Sequence, residues 1–210
     1  MSDYYVTDIR EVNRKKQIFI NEKSAFALYN SEVRKFHIQV NQTIPEEVYE
    51  EIVQEVLPKR ATIRAMHLLK NLDMSEFTLR EKLSKGFYPA EAIDAAVEYV
   101  KRYGYINDRR YAENYVHFKG EAKSRRQMEE FLRNKGIAQE LIAACCDDYY
   151  ADHGNQEYEL ARKLLHKKCK DTSSLSYEEK GKLMAFLGRK GFQFDTIRAV
   201  LEEADKDCDC

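Results

Sequence analysis

An apolar pair recurs three times along this chain at a fixed interval of ten residues: Leu83 and Ile93, Leu132 and Ile142, Leu187 and Ile197. Between the members of each pair stands a Lys-Gly turn with an apolar residue after it, as Lys85-Gly86-Phe87, Lys135-Gly136-Ile137 and Lys190-Gly191-Phe192. A helix that stops at glycine and folds an apolar residue back over its last turn carries a C-cap signature, so each block reads as a helical hairpin. Self-similarity at a period of roughly 50 residues favours a stack of small helical modules over one enclosed globule. Such stacks present long surfaces, which makes binding the leading class of function.

The apolar spacing fills in the modules. In the first repeat a helix from near Arg60 places Ile63, Met66, Leu69 and Leu72 on its core face. Ser75 caps a helix bearing Leu79 and Leu83, and Pro89 opens a third with Ile93, Val97 and Val100, ended by Gly104. The second repeat has Tyr111, Tyr115 and Phe118, a capping box Ser124-Arg125-Arg126-Gln127, and then Ile142, Cys145, Cys146 and Tyr149. The third has Leu160, Ala161, Leu164 and Leu165, a polar connection Asp171-Thr172-Ser173-Ser174, and a capping box Ser176-Tyr177-Glu178-Glu179. Asp195 then caps a last helix with Ile197, Val200 and Leu201.

Ahead of the repeats, residues 1–16 are polar and without period, which predicts a flexible arm. Alternating residues at Ile18 and Ile20, Phe26 and Leu28, and Phe36, Ile38 and Val40 predict a three-stranded meander. Pro45 then opens a helix with Val48, Ile52, Val53 and Val56 that stops before Pro58. The predicted fold is mainly α: tandem three-helix repeats in an elongated array, preceded by a small β meander and a helix. Its parts are an arm at 1–16, the meander and helix at 17–58, repeats at 59–104, 105–153 and 154–204, and an acidic tail at 205–210.

Composition narrows the function classes. With 43% hydrophobic and 34% charged residues the chain suits an ordered helical protein. No apolar run approaches the ~20 residues that span a bilayer, and Met1-Ser2-Asp3-Tyr4-Tyr5 lacks the features of a secretory signal, so a cytoplasmic protein without a membrane partner is expected. The five cysteines include no C-x-x-C pair, which suits reduced thiols. Charge is balanced overall, at -1, but the stretch from Lys101 to Lys135 carries ten basic residues against five acidic ones. A cationic middle module is therefore set against an acidic end formed by Glu202, Glu203, Asp205, Asp207 and Asp209.

Other chemistries find little support. The histidines are scattered, and no nucleophile elbow, phosphate loop or carboxylate pair accompanies them, so no enzyme activity and no cofactor are expected. Cys145, Cys146, His153, His166 and Cys169 could ligate zinc by type, but their spacing matches no standard finger and no metal is expected. Tyr103, Tyr105, Tyr111 and Tyr115 read as packing at a module boundary rather than as base-stacking platforms. The alternative is a helix-turn-helix-like protein that acts on DNA directly. Its recognition helices would need exposed Arg, Asn or Gln at their starts, where this chain has Ala90, Glu91 and Ala92, and then Gln139 and Glu140.

The stretch Gly104-Tyr105-Ile106-Asn107-Asp108-Arg109-Arg110-Tyr111-Ala112, with the Lys-Gly-Ile turn at 135–137, resembles the most diagnostic part of the RecX family, bacterial regulators of the RecA recombinase. The resemblance covers roughly residues 17–204 and includes the order of tandem three-helix repeats behind a short β segment. It implies a non-enzymatic regulator that lies in the groove of a RecA-DNA filament. There it would modulate, in the direction of inhibition, recombination and ATP hydrolysis in DNA repair and the SOS response. Under that reading the partner-binding candidates are Lys119, Lys123, Arg125, Arg126, Arg133, Lys135, Arg189 and Lys190. Arg102, Arg109 and Arg110 are candidates for DNA contact, direct nucleic-acid binding is expected to be weak, and the protein is expected to be a monomer.

Overall fold

The structure is a computed structural model that describes residues 4–169 and 175–206. The polar connection at 171–174 and the terminal Cys208-Asp209-Cys210 lie outside those residues. The chain divides into two compact units, Met1–Asn107 and Asp108–Cys210.

The first unit opens on an antiparallel sheet. Strands β1 (Tyr4–Val12), β2 (Lys15–Ile20), β3 (Lys23–Tyr29) and the short β4 (Thr43–Ile44) lie in the order β3-β2-β1-β4. Residues 4–12 are thus a strand where an arm was expected. A bulge between Val6 and Asp8 shifts the register and hides the two-residue alternation that marks a strand. The hairpin turns Asn13-Arg14 and Asn21-Glu22 all have positive φ, the backbone of tight turns that match strand twist. The expected strand over Phe36–Val40 is replaced by helix α1 (Asn30–Lys35) and its C-terminal turn. His37 takes φ +52 and the Ile38 N–H returns to the Val33 carbonyl, so Phe36 and Ile38 are buried by a cap rather than by a pleat.

Helix α2 (Glu46–Glu50) runs through a π-helical turn (Glu51–Val56) into α3 (Leu57–Asn71), so the helix does not stop before Pro58. The wider i→i+5 turn takes up the carbonyl that the proline ring would otherwise strike. Helix α3 buries Leu57, Ala61 and Ala65 against α5 (Ala90–Arg102), which answers with Ala92 and Ala96. Small side chains on both helices let the axes approach. Of the larger residues expected in the core, Leu69 packs against it half-buried, whereas the rest turn outward: Ile63 is 57% exposed, Met66 40% and Leu72 65%. With α4 (Glu76–Ser84) these helices share a single core with the sheet, so residues 17–58 and 59–104 form one body rather than two.

The second unit holds two trios with separate cores. Helices α6 (Asp108–Lys119), α7 (Arg125–Asn134) and α8 (Gln139–Asp152) enclose Ala112, Val116, Met128, Leu132, Ile142, Cys145 and Cys146. Phe118, expected in this core, is 76% exposed. Helices α9 (Gln156–Lys168), α10 (Tyr177–Arg189) and α11 (Phe194–Lys206) enclose Leu160, Ala161, Leu165, Leu183, Leu187, Ile197, Val200 and Leu201. Asp195 lies inside the first turn of α11 rather than ahead of it.

All six members of the Leu/Ile pairs are buried. In the second and third repeats the glycine takes the left-handed conformation, at φ +73 for Gly136 and +90 for Gly191. The next N–H, of Ile137 or Phe192, returns to the carbonyl of the paired leucine. The first repeat differs: Phe87 takes φ +62, while a Cβ on Gly86 would sit tightly, 3.0 Å from the Leu83 carbonyl and 3.1 Å from the Tyr88 ring.

Candidate partner-binding face

Within the second unit, one contact between repeats organises the cationic residues. Ser124 is fully buried at the N-cap of α7, where its Oγ accepts the Gln127 N–H. The same hydroxyl donates to the Lys190 carbonyl at 2.7 Å, which seats the Lys-Gly turn of the third repeat on the first turn of α7. Gly191 makes this seat possible, because a Cβ there would meet Ser124 Oγ at 2.8 Å and Arg126 Cβ at 3.1 Å. A second strut lies beside it: the Arg125 N–H donates to Glu157 Oε1 at 3.3 Å, tying α7 to α9. Burial raises the Glu157 carboxyl above its ordinary value, against the pull of the Arg125 N–H and guanidinium.

These contacts sort the candidates. Lys119 ends α6, and its carbonyl accepts the N–H groups of both Ala122 and Lys123, so the two lysines share one tight turn just ahead of Ser124. Arg126 is exposed on the far side of Ser124, beside the turn that carries Arg189 and Lys190. Lys119, Lys123 and Arg126 have no acidic partner at ion-pair distance among the described residues. The backbone of one junction thus gathers Lys119, Lys123, Arg126, Arg189 and Lys190. The Lys190 ammonium also lies 5.9 Å from the centre of the Phe186 ring.

Arg125 sits elsewhere in function. Its guanidinium bonds Glu129 at 2.8 Å and Asp147 at 2.7 Å, bracing α7 against α8. Burial opposes its charge, but these hydrogen bonds outweigh that and hold its pKa above the usual arginine value. Arg133 and Lys135 lie at the other end of the ten-residue α7, about 15 Å away. Arg133 donates to Gln139 Oε1 at 3.2 Å, and Lys135 lies over the Phe131 ring at 5.4 Å. Arg109 pairs with Glu113 at 3.5 Å on α6. On α5, in the first unit, Arg102 pairs with Glu98 at 3.0 Å, and Arg110 of α6 is exposed.

Four of the five residues weighed as metal ligands make other contacts. Cys145 and Cys146 fill the core of the second repeat, where burial pushes the Cys146 thiol up to about 11. His153 stacks on the Tyr149 ring, and Cys169 packs against the core of the third repeat. Tyr115 stacks on Phe131 at 4.1 Å between ring centres. Among the described residues no helix is long and apolar enough to cross a membrane.

Sequence reasoning found the Ser124 capping box and the Lys-Gly turn but not their contact, nor the part played by Glu157. Gly191 held the available signal, since glycine at a recurrent turn marks a close approach as well as a turn. The contact joins residues 66 positions apart and has no local pattern.

Fold and face together define a tandem three-helix repeat protein with a basic junction between repeats. Residues 107–145 match the RecX second three-helix domain, and residues 155–201 match the RecX third three-helix domain. Regulatory protein RecX of Caldanaerobacter subterraneus subsp. tengcongensis is 30% identical over 193 residues, covering 91% of this chain and 94% of the relative. That of Vibrio cholerae serotype O1 is 35% identical over 148 residues, covering 68% of this chain and 92% of the relative. A crystal structure of a regulatory protein RecX superposes with a TM-score of 0.65 at 20% identity, over 94% of this chain and 98% of that one, a likeness of fold. The chain belongs to the RecX family of regulatory proteins.

Proposed function

We propose that the protein binds a RecA-type recombinase filament on DNA, lies in the filament groove, and lowers strand exchange and ATP hydrolysis. The observation that carries this is the gathering of Lys119, Lys123, Arg126, Arg189 and Lys190 around the Ser124–Lys190 contact. Cations whose backbones are held by one junction start from fixed positions against an acidic protein surface or phosphates, so the ordering cost of binding falls on their side chains and not on the chain that carries them. Linked repeats that touch several subunits add avidity without requiring one strong contact. The protein acts in this reading as a cytoplasmic, monomeric binding regulator of recombination and repair, and not as a catalyst.

The test mixes purified protein separately with recombinase filaments, naked single-stranded DNA and duplex, and follows binding across salt together with ATP hydrolysis by the filaments. Selective engagement of filaments with slowed turnover is the expected result. Equal affinity for naked DNA with a steep salt response would replace it with direct nucleic-acid binding in the helix-turn-helix manner.

A further inference from the structure

The outward stripe of α3 is an apolar surface that the basic junction does not use. Ile63, Met66 and Leu69 line a groove of about 470 Å³ on the first unit, together with His67, Lys70 and Tyr105. Helix α3 therefore has two apolar faces. The small one, Leu57, Ala61 and Ala65, is buried, whereas the large one carries Ile63 at 57% exposure and Met66 at 40%. Large aliphatic side chains in a row on a helix surface cost free energy in water, and contiguous patches of this kind mark interaction sites.

The chemistry of the rim says what fits. Helix α3 contains no Asp or Glu; its Lys59 pairs with Glu55 and its Arg60 with Glu32, which leaves Arg64 and Lys70 as the exposed cations of this helix without an acidic partner among the described residues. Of these, Lys70 lines the groove. A second copy of the chain docked through the same face would bring these cations against their own copies, since a two-fold contact is self-complementary in position. The floor of Ile63, Met66 and Leu69 is aliphatic and suits apolar protein side chains better than bases, and the rings of the groove are Tyr105 and His67 alone. An amphipathic protein segment, with apolar side chains for the floor and carboxylates for Lys70 and His67, matches both features.

We infer that the α3 groove docks such an acidic amphipathic segment of the filament's protein, as a contact separate from the basic junction. This rests on the reading of the filament as partner. The experiment uses the full chain and its variants Ile63→Asp, Met66→Asp and Lys70→Glu, measuring affinity for recombinase filaments and for naked single-stranded DNA, thermal stability, and sedimentation of the protein alone.

The two aspartate variants should bind filaments at least about tenfold more weakly and Lys70→Glu about threefold more weakly, with naked-DNA binding unchanged. Filament binding by the parent chain with all three variants equal to it would overturn the groove and leave the reading standing. No filament binding by the parent chain would sink the reading and the groove with it. Parallel loss of naked-DNA binding would make the face a nucleic-acid surface, and a dimer of the parent chain broken by Met66→Asp would make it a self-interface; either overturns the inference. Should an aspartate variant unfold, Lys70→Glu decides, because the Lys70 side chain is on the surface.

Discussion

Gly191 shows how one residue sets the geometry of the candidate face. Its φ of +90 costs an L side chain roughly 1–2 kcal/mol, and the steric conflict with Ser124 Oγ at 2.8 Å adds to that. Gly191→Ala should therefore lower stability by more than about 1 kcal/mol in urea denaturation, and Gly181→Ala, which meets nothing within 4 Å inside α10, should raise it by up to about 1 kcal/mol. Glu157, at the neighbouring strut, makes a prediction in pH. Its folded pKa is raised by burial, so its contribution to stability is complete below the unfolded carboxylate value near 4.5 and is lost as pH rises through the folded value. Glu157→Gln keeps an acceptor for the Arg125 N–H without the buried charge. Urea midpoints should show the variant more stable than the parent at pH 7, with the gap closing as the pH approaches 4.5; a gap that widened on acidification would contradict the assignment.

Among the elements, the three serine N-caps look alike in sequence and differ in duty. Ser75, Ser124 and Ser176 each accept the N–H three residues on. Ser176 is exposed, whereas Ser124 is buried and also donates to the Lys190 carbonyl at the end of another repeat's helix. Ser176→Ala should cost about 1 kcal/mol, the usual value of a cap. Ser124→Ala should cost about 1–3 kcal/mol more, because the Lys190 carbonyl is left without its donor, and the difference is measurable by denaturant titration of the two variants. The first repeat uses another clamp, in which the Lys15 ammonium of β2 donates to the Gly86 carbonyl at 3.4 Å. Local signals such as caps, turns and the Leu/Ile pairs were legible in the sequence because short-range hydrogen bonds and helical spacing fix them. The bulged β1, the continuous helix through Pro58 and the outward stripe of α3 were not, because each depends on what a neighbouring element supplies. For α3 the deciding partner is the alanine face of α5, which draws Ala61 and Ala65 inward and leaves the bulkier residues outside. Of the candidate face, the cations were visible as a charge cluster, but the split between exposed Arg126 and internally bonded Arg125 needed the positions of Glu129 and Asp147.

For the whole molecule, net charge is -1, so attraction to an anionic filament has to come from how charge is distributed rather than from its sum. A triple reversal Lys119→Glu, Lys123→Glu and Arg126→Glu changes the local field by six charges without touching an internal ion pair. Arg125→Glu changes it by two and removes the bonds to Glu129 and Asp147. The triple variant should keep its thermal midpoint within a few degrees and bind filaments more weakly at low salt, mainly through slower association, since exposed charges steer encounter. Its plot of log affinity against log salt should also flatten, by nearly one unit for each DNA phosphate that the variant no longer neutralises. Arg125→Glu should show the opposite balance, with a lowered midpoint and a weaker effect on the salt slope. If the triple variant bound filaments with the parent's affinity and slope, the basic junction would have no part in recognition. If affinity fell while the slope flattened by much less than one unit for each reversed cation, the cations would be meeting protein carboxylates, because such pairs are screened by salt but release no condensed counterions from DNA. Stopped-flow association at several salt concentrations separates these outcomes.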